Sequence, residues 1–423
     1  MTDGTGFTPI PVLEVDRTDP SRWDPVRPND RGRVHIRLLD RGWPVADATL
    51  DHLAGLEGPE IRRELDRWAD AQPDPIPSRW PDRSCDATPA VSVVVCTLGR
   101  TEELRATLTA LLGQDHPDFE IVVVDNEPRS GRVAGMLADL VSPEDASPSG
   151  PVPVRVAEPR PGLSRARNAG VRAARHELIA FTDDDAVPSP GWLRAVVEPF
   201  AADENVGCVT GAVLPASLDT EPQWWFEQAA GFGKGFAAMH WGQRPPDRRL
   251  AGWVRPGYRR VAFPSTGTDF GSGNNMAFRR RVLHEVGPFD PALGAGSPTM
   301  GGEDLDMFRR VFLAGHGIVY HPAALVTHTH RETVPALRRQ MYGYGLGMAA
   351  VMLKQLCSSD ALRLLRLGPA SLRYLLKRDS AKNADKRPDF PAELTRVELQ
   401  GYLAALWVYP RARFATRADR KAG

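Results

Sequence analysis

The chain has 423 residues, enough for about two or three domains and a sizeable core. Its 53 basic and 53 acidic side chains balance to a formal net charge of +0, so no global field recruits nucleic acid or an anionic surface. Hydrophobic residues at 42% and charged residues at 25% are ordinary for a globular protein, and no run reaches the roughly 18 apolar residues of a membrane span. The first residues lack a basic segment followed by an apolar one, so no secretory signal is expected. Cys85, Cys96, Cys208 and Cys357 are scattered without CxxC spacing. That pattern argues against a zinc ribbon or disulfide framework and fits a reducing, cytoplasmic compartment.

Residues 1–30 are polar and proline-rich, with little to order their start. Arg33 to Leu39 alternates as a strand does, and the segment from Trp43 to Leu50 reads as its partner across an Asp40-Arg41-Gly42 turn. Ile61, Leu65 and Trp68 have helical spacing. Five prolines between Gln72 and Pro89 mark a linker. Residues 1–88 thus read as an accessory, β-rich extension without chemistry of its own.

Val91 to Cys96 is β-branched and apolar, as a central parallel strand requires. A Thr97–Arg100 loop follows, then a helix over Glu102–Gln114 with Leu104, Leu108, Leu111 and Leu112 on one face. Phe119 to Val124 is the second strand and ends in Asp125-Asn126, completing a right-handed β-α-β unit. Asp125 at that strand end is either a turn aspartate or an acceptor for the donor edge of a base or ribose. Ser130–Leu140 reads as helix, Ser142–Pro151 as a surface loop and Val152–Val156 as the third strand. In Arg160 to Gly170, RPGLSRARNAG, Gly162 and Ser164 open a helix whose free amides, with Arg160, Arg165 and Arg167, suit an anion. Solvated helix arginines are the plainer alternative.

Leu178 to Phe181 is a short buried strand that runs into Thr182 and three consecutive carboxylates, Asp183, Asp184 and Asp185. Acids this close repel one another unless a cation or hydrogen-bond donors compensate. Oxygen-rich sites of this kind suit Mg²⁺ or Mn²⁺, and a solvated acidic turn is the bland alternative. Farther on, Pro215 to Gly267 is rich in Trp and Phe, fit either for sugar or lipid contact or for a buried aromatic cluster. Gly231, Gly233 and Gly235 would let that segment move as a lid. Glu303 and Asp304 precede an amphipathic run, Leu305, Phe308, Val311 and Phe312, which places them at a helix N-terminus. His328 and His330 alternate on a strand expected over Ala324–His330. From Val334 to Leu367 the chain reads as helix. Arg363 to Arg378 is basic and amphipathic, suited to packing on its own domain or to the inner face of a membrane. Residues 379–392 are charged and expected to be loose, and a last helix is expected over Leu394–Tyr409.

Taken in order, VSVVVCTLGR, EIVVVDNEP, RPGLSRARNAG and FTDDDAVPSPGWL resemble the family 2 glycosyltransferases. Gly271 to Arg280, Gly301-Gly302-Glu303-Asp304 and His328-Thr329-His330-Arg331 extend the likeness over roughly residues 90–332. The resemblance implies an α/β chain: a GT-A domain with a Rossmann-like mixed sheet over 89–333, the β-rich extension before it and a helical C-terminal region with a basic tail over 334–423. It implies Asp183 and Asp185 as a DxD pair, Asp183 toward the ribose or sugar and Asp185 on Mn²⁺ or Mg²⁺, with Asp184 a less defined contributor. It further implies Asp304 as general base, Glu303 as its neighbour orienting the acceptor, and His328 or His330 in the metal shell. Asp125 would read the base, and Thr97 and Arg100 would line the same pocket, although TLGR departs from the tyrosine or asparagine common there.

The expected partners are a nucleotide-sugar donor, most simply a UDP-sugar, and a glycan, lipid-linked or small-molecule acceptor, as in polysaccharide or cell-envelope synthesis. No nucleic acid is expected. Two alternatives stay open. One is a nucleotidyltransferase, disfavoured because no glycine-rich phosphate loop follows the first strand. The other is a catalytically degenerate protein that binds glycans or nucleotide sugars.

Overall fold

A computed structural model describes residues 7–72 except Pro20 and Pro25, 88–140, 151–257 except Ala230, 266–356, 361–377 and 390–422, with Ser380, Asn383 and Lys386. Most of the expected Gln72–Pro89 linker, of the Ser142–Pro151 loop and of 379–392 lies outside these residues, as do Cys85 and Cys357.

The N-terminal unit is a three-stranded sheet of β1 (Val12–Asp16), β2 (Val34–Asp40) and β3 (Trp43–Leu50), β1 and β2 parallel, β2 and β3 antiparallel. Asp40 pairs with Trp43, so Arg41-Gly42 is a two-residue turn. Both residues have positive φ, 51° and 80°, the combination that matches strand twist in a tight hairpin. Helix α1 (Gly58–Asp70) begins where Glu60 reaches back to the Glu57 amide at 3.1 Å, and its Leu65 and Ala69 join Val34, Ile36 and Leu38 in a small core. Hairpin and helix fall where the pattern places them. The parallel strand β1, in a proline-rich stretch, carried no such signal.

Then come β4 (Val91–Thr97), α2 (Thr101–Leu112), β5 (Phe119–Asp125), α3 (Arg132–Leu140), β6 (Val154–Ala157), α4 (Leu163–Ala173), β7 (Leu178–Asp183), β8 (Ala186–Pro188), α5 (Trp192–Ala202) and β9 (Val206–Pro215). The chain continues through α6 (Glu221–Ala229), β10 (Met239–Trp241), α7 (Arg248–Ala251), β11 (Arg255–Pro256), β12 (Asn275–Arg279), α8 (Arg280–Val286), α9 (Glu303–Leu313) and β13 (Gly317–His328). Strands β4 to β13 make one mixed sheet, ordered β11-β10-β13-β9-β12-β7-β4-β5-β6, with β8 paired to β13. The β4, β5, β6 and β7 strands are parallel, and β12 runs antiparallel between β7 and β9.

Every residue of β4 is buried, because helices cover both sheet faces. Val91, Val93 and Val95 pack with Leu104, Leu108 and Leu111 of α2, while Val94 and Cys96 meet Ala166 and Ala169 of α4 on the other side. Gly170 of α4 lies so close that a Cβ there would sit 2.3 Å from a Val94 methyl.

Two expected elements shift. The late strand is the end of a 12-residue strand, β13, so His330 lies just past it. The helix expected to reach Leu367 is α10 (Val334–Leu356), followed by α11 (Ala361–Leu376) and α12 (Ala392–Ala422). Glycines let α10 approach both neighbours. A Cβ at Gly347 would meet the Gly301 backbone at 2.6 Å, and one at Gly345 would meet the Glu398 carbonyl of α12 at 2.0 Å.

Candidate active site

The chemistry gathers where the parallel strands end. Thr97 stands opposite Asp125 and Cys96 opposite Asp183 in the β4–β5 and β4–β7 registers, which is the edge where open α/β sheets bind ligands. The turn from β7 to β8 carries the three aspartates, and they divide the work. Asp184 points inward, accepting from the Thr97 hydroxyl at 2.6 Å and from Arg100, which clamps both its oxygens. Burial pushes its carboxyl up to about 6 against the pull of Arg100. Thr97 is buried, with its oxygen also accepting from the Gly99 amide, and Arg100 bridges to Asp185 at 2.7 Å. Both residues therefore brace the acidic turn.

Asp183 and Asp185 face the cleft. Burial opposes the charge on Asp185, but His328, then Arg100 and Arg331, outweigh it and hold the carboxyl well below the usual range. Asp183 is 29% exposed and pairs with Arg167 at 3.3 Å. Burial raises its carboxyl, Arg167 pulls it back, and Asp185 adds to the rise.

Arg167 is the organising cation. Its side chain is only 2% exposed, donates to Glu303 at 2.7 Å and to the Gly273 carbonyl at 2.8 Å, and lies over the Phe289 ring. Glu303, buried at the N-terminus of α9, is pushed up to about 7 by burial and then by the Asp304 charge, against the pull of Arg167. Asp304 accepts from the Gly273 amide at 2.9 Å and the Leu305 amide at 2.8 Å. Gly302, the residue before the helix, has φ of 91°, and a Cβ there would meet the Gly347 carbonyl at 2.7 Å. Helix α9 is tied to α10 by Lys354, which reaches Asp306 at 3.0 Å and Asp290 at 2.7 Å.

The two histidines separate. His328 Nε2 lies 3.5 Å from Asp185 Oδ1, whereas His330 bonds Glu227 of α6 at 2.6 Å, and the two Nδ1 atoms are 3.1 Å apart. Asp185 with His328 offers the carboxylate–imidazole donors that a Mn²⁺-type ion accepts. No group of three or more metal-ligating side chains occurs among the described residues.

Asp125 is fully buried, with Oδ2 accepting from Arg155 at 2.7 and 2.9 Å and Oδ1 from the Glu127 amide. Arg160 forks onto Glu158, and Arg165 sits half-buried on α4. At the start of α4, where free amides are expected to face an anion, two have partners. The Gly162 amide donates to Asn126 and the Leu163 amide to the Ala295 carbonyl, so neither is free.

Arg167, Asp183, Asp185, Glu303, Asp304 and His328 line a cleft of about 1550 Å³, and Thr97, Arg100, Asp125, Arg160 and Arg165 lie outside its wall. Its wall includes Phe232, Phe236 and the glycine-rich segment from Gly231 to Gly235, Arg331 and Arg339, and also His35, Asp47 and Thr49 of the N-terminal unit. That unit docks through Arg37, which bonds the Pro215 carbonyl, and through Phe7 and Ile10 packed on Leu218 and Trp224. Of the aromatic stretch, Phe226 and Trp241 are buried, which is the packing role, while Phe232, Phe236 and the mostly buried Trp224 line the cleft. Sequence alone gives Arg331 and Glu227 no role and the extension no part in the cleft, and it singles out Arg160 and Arg165 as readily as Arg167. Helical periodicity carried a signal for the last point, since Arg167 shares the small-residue face of Ala166, Ala169 and Gly170.

Residues 89–343 match the family described as Glycosyltransferase like family 2. The chain is 25% identical over 244 residues to a glucosyl-dolichyl phosphate glucuronosyltransferase of Haloferax volcanii, a match covering 56% of this chain and 68% of that protein. It is 24% identical over 263 residues to a pre-mycofactocin glycosyltransferase of Mycobacterium tuberculosis, covering 62% of this chain and 47% of that protein. Among solved structures, a Pyrobaculum calidifontis mannosyltransferase in complex with GDP-Man and Mn²⁺ aligns with a TM-score of 0.45 at 18% identity, covering 86% of this chain and 82% of that one. The family match spans more than half of the chain, and the protein belongs to the family 2-like glycosyltransferases.

Proposed function

We propose that the protein is a divalent-cation-dependent, inverting glycosyltransferase that moves a sugar from a nucleoside diphosphate donor, most simply a UDP-sugar, to a hydroxyl acceptor. The observation that carries this reading is the meeting of Asp183, Asp185, Arg167, His328 and Asp304 around one cleft. Asp185 and His328 would hold the cation, which supplies charge stabilisation to the diphosphate as it leaves. Arg331 stands 3.7 Å from Asp185 and adds positive charge on the same side. Asp304 takes the proton from the acceptor hydroxyl as its oxygen bonds the anomeric carbon and the bond from that carbon to the phosphate oxygen breaks. One such displacement inverts the anomeric centre. The relatives' names point to a lipid-linked sugar in one case and a small molecule in another, so the acceptor class stays with the experiment.

The test is a panel of UDP-, GDP- and dTDP-sugars with Mn²⁺ or Mg²⁺, read by thermal shift and nucleotide release. Stabilisation by one nucleotide only in the presence of metal, lost in Asp185→Ala, supports the reading and names the donor. Absence of metal-dependent binding to every nucleotide sinks it.

A peripheral membrane contact forms part of the same proposal. No helix among the described residues is long and apolar enough to cross a membrane. Yet the outer face of α12 exposes Leu403, Leu406, Trp407 and Phe414 at 61%, 57%, 52% and 79%. These positions repeat at helical spacing beside exposed Arg396 and Arg411. Vesicles containing phosphatidylglycerol, but not pure phosphatidylcholine, are expected to carry the protein in flotation, and Trp407→Glu with Phe414→Glu to release it. Equal flotation of the double variant removes this face from the argument.

A further inference from the structure

Four side chains form an unbroken line from α6 to the acidic turn. Glu227 Oε1 is 2.6 Å from His330 Nε2, the Nδ1 atoms of His330 and His328 are 3.1 Å apart, and His328 Nε2 is 3.5 Å from Asp185 Oδ1. The histidine side chains are 1% and 6% exposed, so water cannot substitute freely for any of these partners. Phe226 packs on His330 with ring centroids 4.6 Å apart, and Phe232 meets His328 edge-on at 5.2 Å, which fixes both ring planes.

The protons along this line follow from the donor rules. A carboxylate only accepts, so His330 carries hydrogen on Nε2. Two arrangements of His328 complete this line. Its hydrogen can sit on Nε2 and go to Asp185, or it can sit on Nδ1, where His330 accepts it, which leaves the Nε2 lone pair and the Asp185 carboxylate as a donor pair for a divalent ion. The bond from His330 Nε2 to Glu227, with His330 Nδ1 left to face His328, favours the second. We infer that Glu227 and His330 are positioning residues, which hold His328 in the one tautomer that can ligate a divalent ion beside Asp185. Because Glu227 belongs to the helix that opens the aromatic segment of the cleft, the same line mechanically links that segment to the metal edge.

This inference rests on the metal reading of Asp185 proposed above. Outer partners of this sort typically change metal affinity by about 10- to 100-fold. Manganese binding to the full-length protein, followed by the electron paramagnetic resonance of free Mn²⁺, is expected to weaken by that factor in Glu227→Ala. Glu227→Gln keeps an oxygen acceptor for His330 and is expected to restore most of the affinity, which a merely structural loss would not predict. The spectroscopic readout is made on the wild-type protein. In ¹⁵N-histidine-labelled protein at about pH 8, above the ordinary imidazole range, His328 is expected to carry its proton on Nδ1, its signals being assigned by their loss in His328→Gln. A proton on Nε2 in the wild-type protein overturns the inference. So does unchanged Mn²⁺ affinity in Glu227→Ala while Asp185→Ala weakens it, and in that case the metal site stands alone. Mn²⁺ binding that survives Asp185→Ala instead removes the metal reading, and the inference with it.

Discussion

Asp304→Asn is expected to leave metal-dependent nucleotide binding intact and to lower turnover by about 10²- to 10⁴-fold, the range that a positioned base contributes. The substitution is conservative in shape. Asn retains an oxygen that can accept from the Gly273 amide, now at 2.9 Å, and the helix start is set by Gly302 rather than by this side chain. What Asn lacks is the basic carboxylate. Glu303 next to it cannot take over, because it is buried and engaged by Arg167 at 2.7 Å. The loss should therefore appear in kcat, with the donor-induced thermal shift unchanged. Turnover within about tenfold of wild type would move the base elsewhere in the cleft. A lost thermal shift would instead make Asp304 a donor-binding residue.

Much of this geometry could be read from the chain because its signals are local. The β-branched run Val91–Cys96 and the alternation around Asp40-Arg41-Gly42 each specify an element within a few residues, and the observed strands and turn follow them. The acidic turn and the Glu303-Asp304 helix start were legible for the same reason. What escaped depends on partners far away in sequence. Glu227 meets His330 across 103 positions, and Arg167 meets Glu303 across 136. Strand β9 carries Gly207 and Gly211, and a Cβ at Gly211 would sit 1.9 Å from the Ala324 carbonyl, so the glycine serves the close approach of β13, a partner more than 100 positions away. Division of labour within the aspartate triplet also lay beyond the sequence, because three identical residues differ only in what surrounds them. Asp184 turns inward to Thr97 and Arg100, and its neighbours turn to the cleft.

Arg167→Met is expected to cost about 3–5 kcal/mol of stability well above pH 7, where Glu303 is ionised in wild type, the usual penalty for removing one partner of a buried charge pair. Methionine fills most of the space and keeps a contact with Phe289, so the loss is electrostatic rather than a cavity. It strands Glu303, which has no other cation within hydrogen-bonding reach among the described residues, and it frees the Gly273 carbonyl. The sign of the pH dependence follows. Glu303 is already pushed up to about 7 by burial and the neighbouring Asp304 charge, and losing the cation raises it further. Below about 7 the folded forms of both proteins hold Glu303 protonated, so this residue adds nothing to the gap between them. As pH rises above that value, wild type ionises Glu303 against Arg167 and the variant cannot, so the gap in unfolding free energy widens. Adding Glu303→Gln to Arg167→Met should recover part of the loss and flatten the pH dependence, a coupling that denaturation of the four proteins of the cycle measures directly. A gap that narrows with rising pH, or a double variant no better than the single, would assign the role of Arg167 to Asp183 and the Gly273 loop instead.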